Sequence, residues 1–182
     1  MDKFDVIVVG GSAAGIPAAI TARRHYPEKT VLLVRKEEQV LIPCGIPYIF
    51  GTLGTCSKDL IPDAVLEKNG IELLVDEVTG VHPDRKTVTT AGKKEIQYAR
   101  LVLATGSRPV VPPIPGSDKK GIFAIRKSVP YLEAMLEALD KAKNLLIVGY
   151  GFIGVELAEE CKQVRNIDVK VVEMLRHCLQ LT

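Results

Sequence analysis

Three short stretches of this 182-residue chain hold residue types that can do chemistry. Two are glycine clusters, GGSAAG at 10–15 and GYGFIG at 149–154. The third is a thiol, Cys44, set between Pro43 and Gly45. Glycine lets a backbone turn sharply and approach a ligand closely. Between an apolar strand and a helix, such a turn sits where the helix's free N–H groups and positive dipole end meet an anion. That arrangement holds a dinucleotide pyrophosphate. A cysteine at the start of a short helix is a better nucleophile, because the helix end favours its thiolate. The commoner fate of a lone cysteine is a buried, inert one. The remaining cysteines stand at 56, 161 and 178. No C-x-x-C pair occurs, so neither a zinc site nor a disulfide framework is expected. Cys56, in a Gly/Thr/Ser-rich loop, reads as incidental.

The elements that must position these residues follow from the apolar pattern. Phe4–Val9 reads as a strand buried on both faces. Gly10, Ser12, Ala13, Ala14 and Gly15 form the turn, with Ser12 where the second glycine of G-x-G-x-x-G belongs. A helix follows from about Ala14, and Pro17 falls in its first turn, where a missing N–H is tolerated. The second cluster has the same frame: strand Asn144–Val148, helix Val155–Val164, strand Val169–Val172. Here Gly149, Gly151 and Gly154 complete the fingerprint around Phe152 and Ile153. Glu173 fits the acidic position that binds a ribose hydroxyl, and its charge favours NADH over NADPH. In the first unit, strand Thr30–Val34 ends instead at Arg35. Arg35 suits a 2′-phosphate, ribose oxygens or the adenine face; equally, it reads as a solvated strand end with Glu37 or Glu38 reaching the ribose. Two fingerprints imply two dinucleotides, an electron donor and a bound redox carrier.

Between them lie a short helix over Pro62–Asn69 stopped by Gly70, and a strand over Ile71–Val75. Three short strands (EVTGVH, TVTT, EIQY) then form an antiparallel meander. Leu101–Ala104 rejoins the parallel sheet, and Thr105, Gly106 and Ser107 pass close to a ligand at its end. Gly116–Gly121 is the boundary, and Ser128–Leu139 is an amphipathic helix. The fold class is α/β: a Rossmann-like dinucleotide-binding fold with a parallel sheet, crossover helices and an antiparallel meander, then a truncated second Rossmann unit. The domains run 1–118 and 119–182. Apolar residues make up 47% of the chain, enough for a core, and net charge is +2. With no basic stripe and few aromatics, nucleic acid is not an expected partner. No run is long enough to span a membrane, and the first strand starts too near Met1 for a signal peptide. The expected setting is cytoplasmic.

Four motifs, IVVGGSAAG (7–15), PCGIPY (43–48), LATGSRP (103–109) and LLIVGYGFIGVELAE (145–159), carry a resemblance. In this order they resemble the N-terminal part of the pyridine nucleotide–disulfide oxidoreductases. The similarity is to the single-cysteine branch: NADH oxidases, NADH peroxidases and coenzyme A-disulfide, polysulfide or persulfide reductases. The resemblance implies FAD on the first turn, Val78 by the adenine, and Ala104, Thr105 and Gly106 beside the flavin nucleotide. Pro43 and Arg108 complete the implied FAD contacts. It implies Cys44 facing the flavin ring and Glu156 near the nicotinamide of NAD. Ile49 stands where two-cysteine reductases carry their second thiol, so Cys44 would cycle through a sulfenic acid or a mixed disulfide. The whole protein would be a homodimer reducing a small-molecule disulfide, polysulfide, peroxide or oxygen. This chain would be an N-terminal part without turnover of its own. Two other readings stand beside this one: a noncatalytic dinucleotide-binding module, and a flavin reductase serving a protein acceptor without cysteine chemistry.

Overall fold

The computed structural model describes residues 2–165 and 167–179. In chain order the elements are β1 (Asp2–Val9), α1 (Gly15–His25), β2 (Val31–Arg35), β3 (Val40–Leu41), α2 (Ile46–Ile49), β4 (Leu60–Ile61), α3 (Ala64–Glu67), β5 (Glu72–Val75) and β6 (Val78–His82). They continue with β7 (Thr87–Thr90), β8 (Glu95–Leu103), α4 (Val129–Asp140), β9 (Asn144–Val148), α5 (Phe152–Val164) and β10 (Asp168–Val172). Tight helical turns at Pro43–Gly45 and Cys56–Asp59 flank α2 and its loop. The chain forms two compact units, Met1–Val40 with Ile61–Arg108, and Leu41–Leu60 with Pro109–Thr182.

The first unit is built on one sheet, in the order β5-β2-β1-β8-β7-β6. β1 runs parallel to β2 and β8, and β2 runs parallel to β5. Alternation sorts the side chains onto two faces, as a strand's period of two requires. Val8, Val31 and Leu33 pack with Ile16 and Ala19 of α1 and Leu66 of α3. Ile7, Val9, Leu32 and Val34 pack with Val88, Ile96 and Tyr98 of the meander. Only Asp76 and Glu77 link β5 to β6, although these strands lie at opposite ends of the hydrogen-bonded order. The three Cα–Cα steps from Val75 to Val78 span at most about 11 Å, so the sheet must curl until β6 returns over β5. The cluster shared by both halves shows that it does.

Three local differences from the sequence pattern have physical causes. EIQY and the apolar run after it form one strand, β8, antiparallel to β7 at its start and parallel to β1 along its length. Pairing with β1 on one side carries it through Ala99 and Arg100. The helix at 62–69 contracts to Ala64–Glu67, with Gly70 at φ +63° as its stop. Arg35 lies inside β2, opposite Val75, and is buried rather than a solvated strand end.

In the second unit β9 and β10 pair in parallel. Leu145, Ile147, Val169 and Val171 turn toward α4 and α5, joining Leu132, Met135, Leu139, Leu157 and Cys161. Leu41, Ile46, Ile49, Phe50 and Cys56 belong to the same core. Cys56 is therefore a core residue, not an incidental loop thiol. The segment that carries Cys44 groups with the second unit because its apolar residues bury there. The units thus interleave along the chain.

Candidate functional site

The first glycine turn is held by its neighbours. Gly10 has φ +111° and donates its N–H to the Val34 carbonyl at 2.8 Å. A Cβ on Gly10 would stand 2.1 Å from the Ala104 oxygen, and one on Gly15 would stand 1.7 Å from the Gly10 oxygen. Both positions need glycine for space, and Gly10 needs it also for its left-handed backbone. Ser12, Ala13 and Ala14 form the tip of the turn, with Ala13 and Ala14 exposed. α1 starts without a side-chain cap and without an acidic residue in its first turn. Its first N–H groups and dipole end are therefore left for an anion. Thr105 and Gly106 follow β8 after Ala104 and are exposed, with Gly106 at φ +72°. The structure thus gathers Gly10, Gly15, Ala104 and Thr105 into one backbone crossing.

Val78, Arg108 and Arg35 of the implied FAD set belong to the same unit. Val78 packs at the edge of the meander cluster. Arg108 is exposed at the end of the first unit. Arg35 lies under the turn: a Cβ on Gly11 would stand 2.7 Å from its Cδ. Its Nη1 and Nη2 donate to Asp63 at 2.7 and 2.9 Å, forming a bidentate ion pair. Nε and Nη2 also donate to the Glu37 and Glu38 carbonyls, each at 2.8 Å. The guanidinium is thus engaged within the chain. Asp63 was not visible as its partner, because twenty-eight residues separate the two.

The second fingerprint repeats the first, bond for bond. Gly149 has φ +102° and donates to the Val172 carbonyl at 2.9 Å. A Cβ on Gly154 would stand 2.0 Å from the Gly149 oxygen. The first helical bonds also correspond: Ile16 to the Ser12 carbonyl at 3.1 Å, and Val155 to the Gly151 carbonyl at 3.0 Å. Gly151 caps α5, so Phe152 and Ile153 already lie in the helix, three residues earlier than the pattern indicated. Both are exposed. Glu173 follows β10 and folds onto the turn. Its Oε2 accepts the Tyr150 N–H at 2.7 Å, and its Oε1 accepts those of Met174 and Leu175 at 2.7 and 2.9 Å. The Leu175 and Tyr150 N–H groups, with that of Met174, hold its carboxyl below the usual carboxylate range. Three of about four acceptor sites are then used, and one stays open.

Pro43 and Cys44 belong to the second unit, in the tight turn before α2, and Cys44 is exposed. Gly45 donates to the Ile42 carbonyl at 2.8 Å and closes that turn. α5 holds the far end of the segment. Glu160 accepts the Thr52 N–H at 2.7 Å, and Arg165 donates to the Phe50 carbonyl at 2.6 Å. Arg165 also pairs with Asp140 of α4. Glu156 is half-buried and lines a cleft of ≈ 230 Å³ with Tyr48, Glu159, Glu160 and Gln163. The buried thiols differ from Cys44. Burial pushes Cys161 up to about 11 and, with the charge of Glu133, raises Cys56. Among the described residues no group of three or more His, Cys, Asp or Glu is placed to hold a metal. No described helix is long and apolar enough to cross a membrane.

Two glycine turns on parallel strands, each feeding a helix, define a chain with two dinucleotide-binding frames. Residues 4–182 match the family described as pyridine nucleotide-disulphide oxidoreductase. The chain belongs to that family, whose cofactors are FAD and NAD(P)H. It is 34% identical over 180 residues to an NADH oxidase of Methanocaldococcus jannaschii, covering 92% of this chain and 40% of the relative. It is 37% identical over 177 residues to an NAD(P)H coenzyme A polysulfide/persulfide reductase of Pyrococcus horikoshii, covering 93% of this chain and 40% of the relative. A crystal structure of reduced CoADR-RHD from Bacillus anthracis superposes with TM-score 0.87 at 28% identity, over 99% of this chain and 34% of that one. The chain therefore spans about two-fifths of the length of these curated relatives.

Proposed function

We propose that the chain is the N-terminal part of an FAD-dependent NADH oxidoreductase that reduces a small-molecule disulfide, polysulfide, peroxide or oxygen through Cys44. The repeat carries this reading. The same strand-end hydrogen bond, the same glycine-on-carbonyl contact and the same first helical bond occur at 10–16 and at 149–155. The first frame would take FAD: the N–H groups of Ser12–Gly15 would hold its pyrophosphate, and the glycine crossing at Ala104 would allow the close approach a nucleotide needs. The second takes NADH: Glu173 stands at the ribose position, where its charge repels the 2′-phosphate of NADPH. FAD, when bound, supplies a two-electron relay between a hydride donor and a thiol. Cys44 receives those electrons as the S–S bond of a mixed disulfide, or the S–O bond of a sulfenic acid, breaks. It returns as thiolate, and the released thiolate or hydroxide takes up a proton. In this reading the domains are 1–118 and 119–182, the whole protein is a homodimer, and turnover requires the remainder of the chain.

Separate calorimetric titrations of the 182-residue chain with FAD and with NADH test the two frames. Gly15→Val is expected to abolish FAD binding and spare NADH, and Gly154→Val to do the reverse. Absence of binding by the unaltered chain, or loss of both ligands with either variant, would contradict the assignment.

A further inference from the structure

The turn that carries Cys44 rests on a buried acid that no ion pair explains. Asp59 is 2% exposed, and its Oδ2 has no hydrogen-bond partner among the described residues. Its carboxyl stands where Gly45 would have a side chain: a Cβ on Gly45 would lie 1.7 Å from Oδ1 and 2.7 Å from Cγ. Its main-chain carbonyl accepts the Ile42 N–H at 2.9 Å, and the Ile42 carbonyl in turn accepts from Gly45. One residue therefore touches both ends of the Ile42–Gly45 turn, by backbone at one end and by side chain at the other. The ionisable groups around it are Cys44 on the turn, Cys56 and exposed Lys58 on its own helical turn, and Glu133, whose charge reaches Cys56 from α4. None of the described ion pairs includes Asp59. A buried carboxylate without a cation or donors is a poor stability device, since an apolar side chain fills the same space without the desolvation cost. Such a group is better explained by what it does to its neighbour.

We propose that Asp59 is a positioning residue for Cys44, packed as a neutral acid against Gly45, so that its ionisation changes the reactivity of the thiol one residue away. The proposal rests on the reading of Cys44 as the redox residue for its purpose, but not for its test. With the acid neutral, Asp59 fits the space under the turn. Once ionised, it stands buried with no cation and with no donor at Oδ2, and it places a negative charge against Gly45, one residue from the cysteine. That charge opposes the thiolate. Burial raises the carboxyl above its ordinary range, in keeping with a neutral form that persists to higher pH.

The test needs no cofactor. The chain is alkylated with iodoacetamide over a range of pH, and peptide mass spectrometry follows each cysteine. Cys178, also exposed, is the internal control. In the unaltered chain, Cys44 is expected to show a second ionisation below that of the thiol. Asp59→Asn keeps the shape and stays neutral. It is expected to remove the lower step and to speed Cys44 alkylation about three- to ten-fold above that step, the effect of one nearby like charge. Cys178 should be unmoved. Superimposable Cys44 profiles for the unaltered chain and Asp59→Asn would overturn the proposal, as would equal changes at Cys44 and Cys178. If Asp59→Asn folds poorly, Gly45→Ala provides the second variant, because its methyl must displace the carboxyl. It too should change the Cys44 profile selectively, and an unchanged profile refutes the idea. Failure of FAD to bind would leave these outcomes intact, so the two readings fail separately.

Discussion

Removing either member of the Arg35–Asp63 pair should have very unequal consequences. The Arg35 side chain is 2% exposed, whereas that of Asp63 is 45% exposed. Asp63→Ala strands a guanidinium in the interior with only the Glu37 and Glu38 carbonyls as partners. Two charge-assisted bonds are lost, each worth about 1.5–3 kcal/mol when its partner is left unsatisfied. Water entering from the open Asp63 side recovers part of that, so the expected loss is about 2–4 kcal/mol. Arg35→Met removes the buried charge and keeps an unbranched stem against Gly11, while Asp63 turns to solvent. Its expected cost is about 1 kcal/mol or less. Urea unfolding of the 182-residue chain, followed by far-UV circular dichroism, measures both. With a slope of about 1–3 kcal/mol per molar, the Asp63→Ala midpoint should fall by about 1 M or more. A loss for Arg35→Met equal to or greater than that for Asp63→Ala would refute the reasoning. The guanidinium would then not depend on Asp63.

The other ionisable groups give predictions of opposite sign. Glu173 is held low by backbone N–H groups. Its contribution is therefore present above the unfolded carboxylate range and is lost as pH falls through the folded value. The protection of the Tyr150 amide, corrected for the intrinsic pH dependence of exchange, should fall as the solution is acidified through that range, and Glu173→Ala should show low protection throughout. Asp59 is held high by burial. Stability tied to its neutral form is full below the unfolded value and is lost as pH rises through the folded one. Melting temperatures should show Asp59→Asn gaining on the unaltered chain as pH rises, with the gap closing in acid. Thiol titration in native buffer should find Cys44 and Cys178 fast, with Cys56 and Cys161 reacting only after denaturant is added, since both are buried.

The strand–turn–helix frames were legible because each depends on local residues. β-branched runs fix β1 and β2, and glycines stand where a Cβ meets a carbonyl oxygen. Gly15 over Gly10 and Gly154 over Gly149 are steric facts that residue type alone encodes. What was not legible depends on long-range pairing. Arg35 looked like a strand-end cation because nothing near it in sequence shows that Asp63 will meet it. Nothing local to Asp59 in the sequence marks its burial, because its carboxyl packs against Gly45, fourteen positions away. The continuous β8 escaped because Ala99 and Arg100 break the apolar pattern, yet pairing with β1 carries the strand through them. The grouping of 41–60 with 109–182 arises from Ile46, Ile49 and Phe50 sharing a core with α4 and α5, and no linker composition announces it.

The most direct measurement is the visible absorption spectrum of the FAD-loaded full-length protein during anaerobic reduction with NADH. A thiolate in contact with oxidised flavin gives a long-wavelength charge-transfer band. The band should appear after two electrons have been taken up and should be missing in Cys44→Ser. Reduction without any such band, or an identical band in Cys44→Ser, would contradict the assignment of Cys44 as the redox-active thiol.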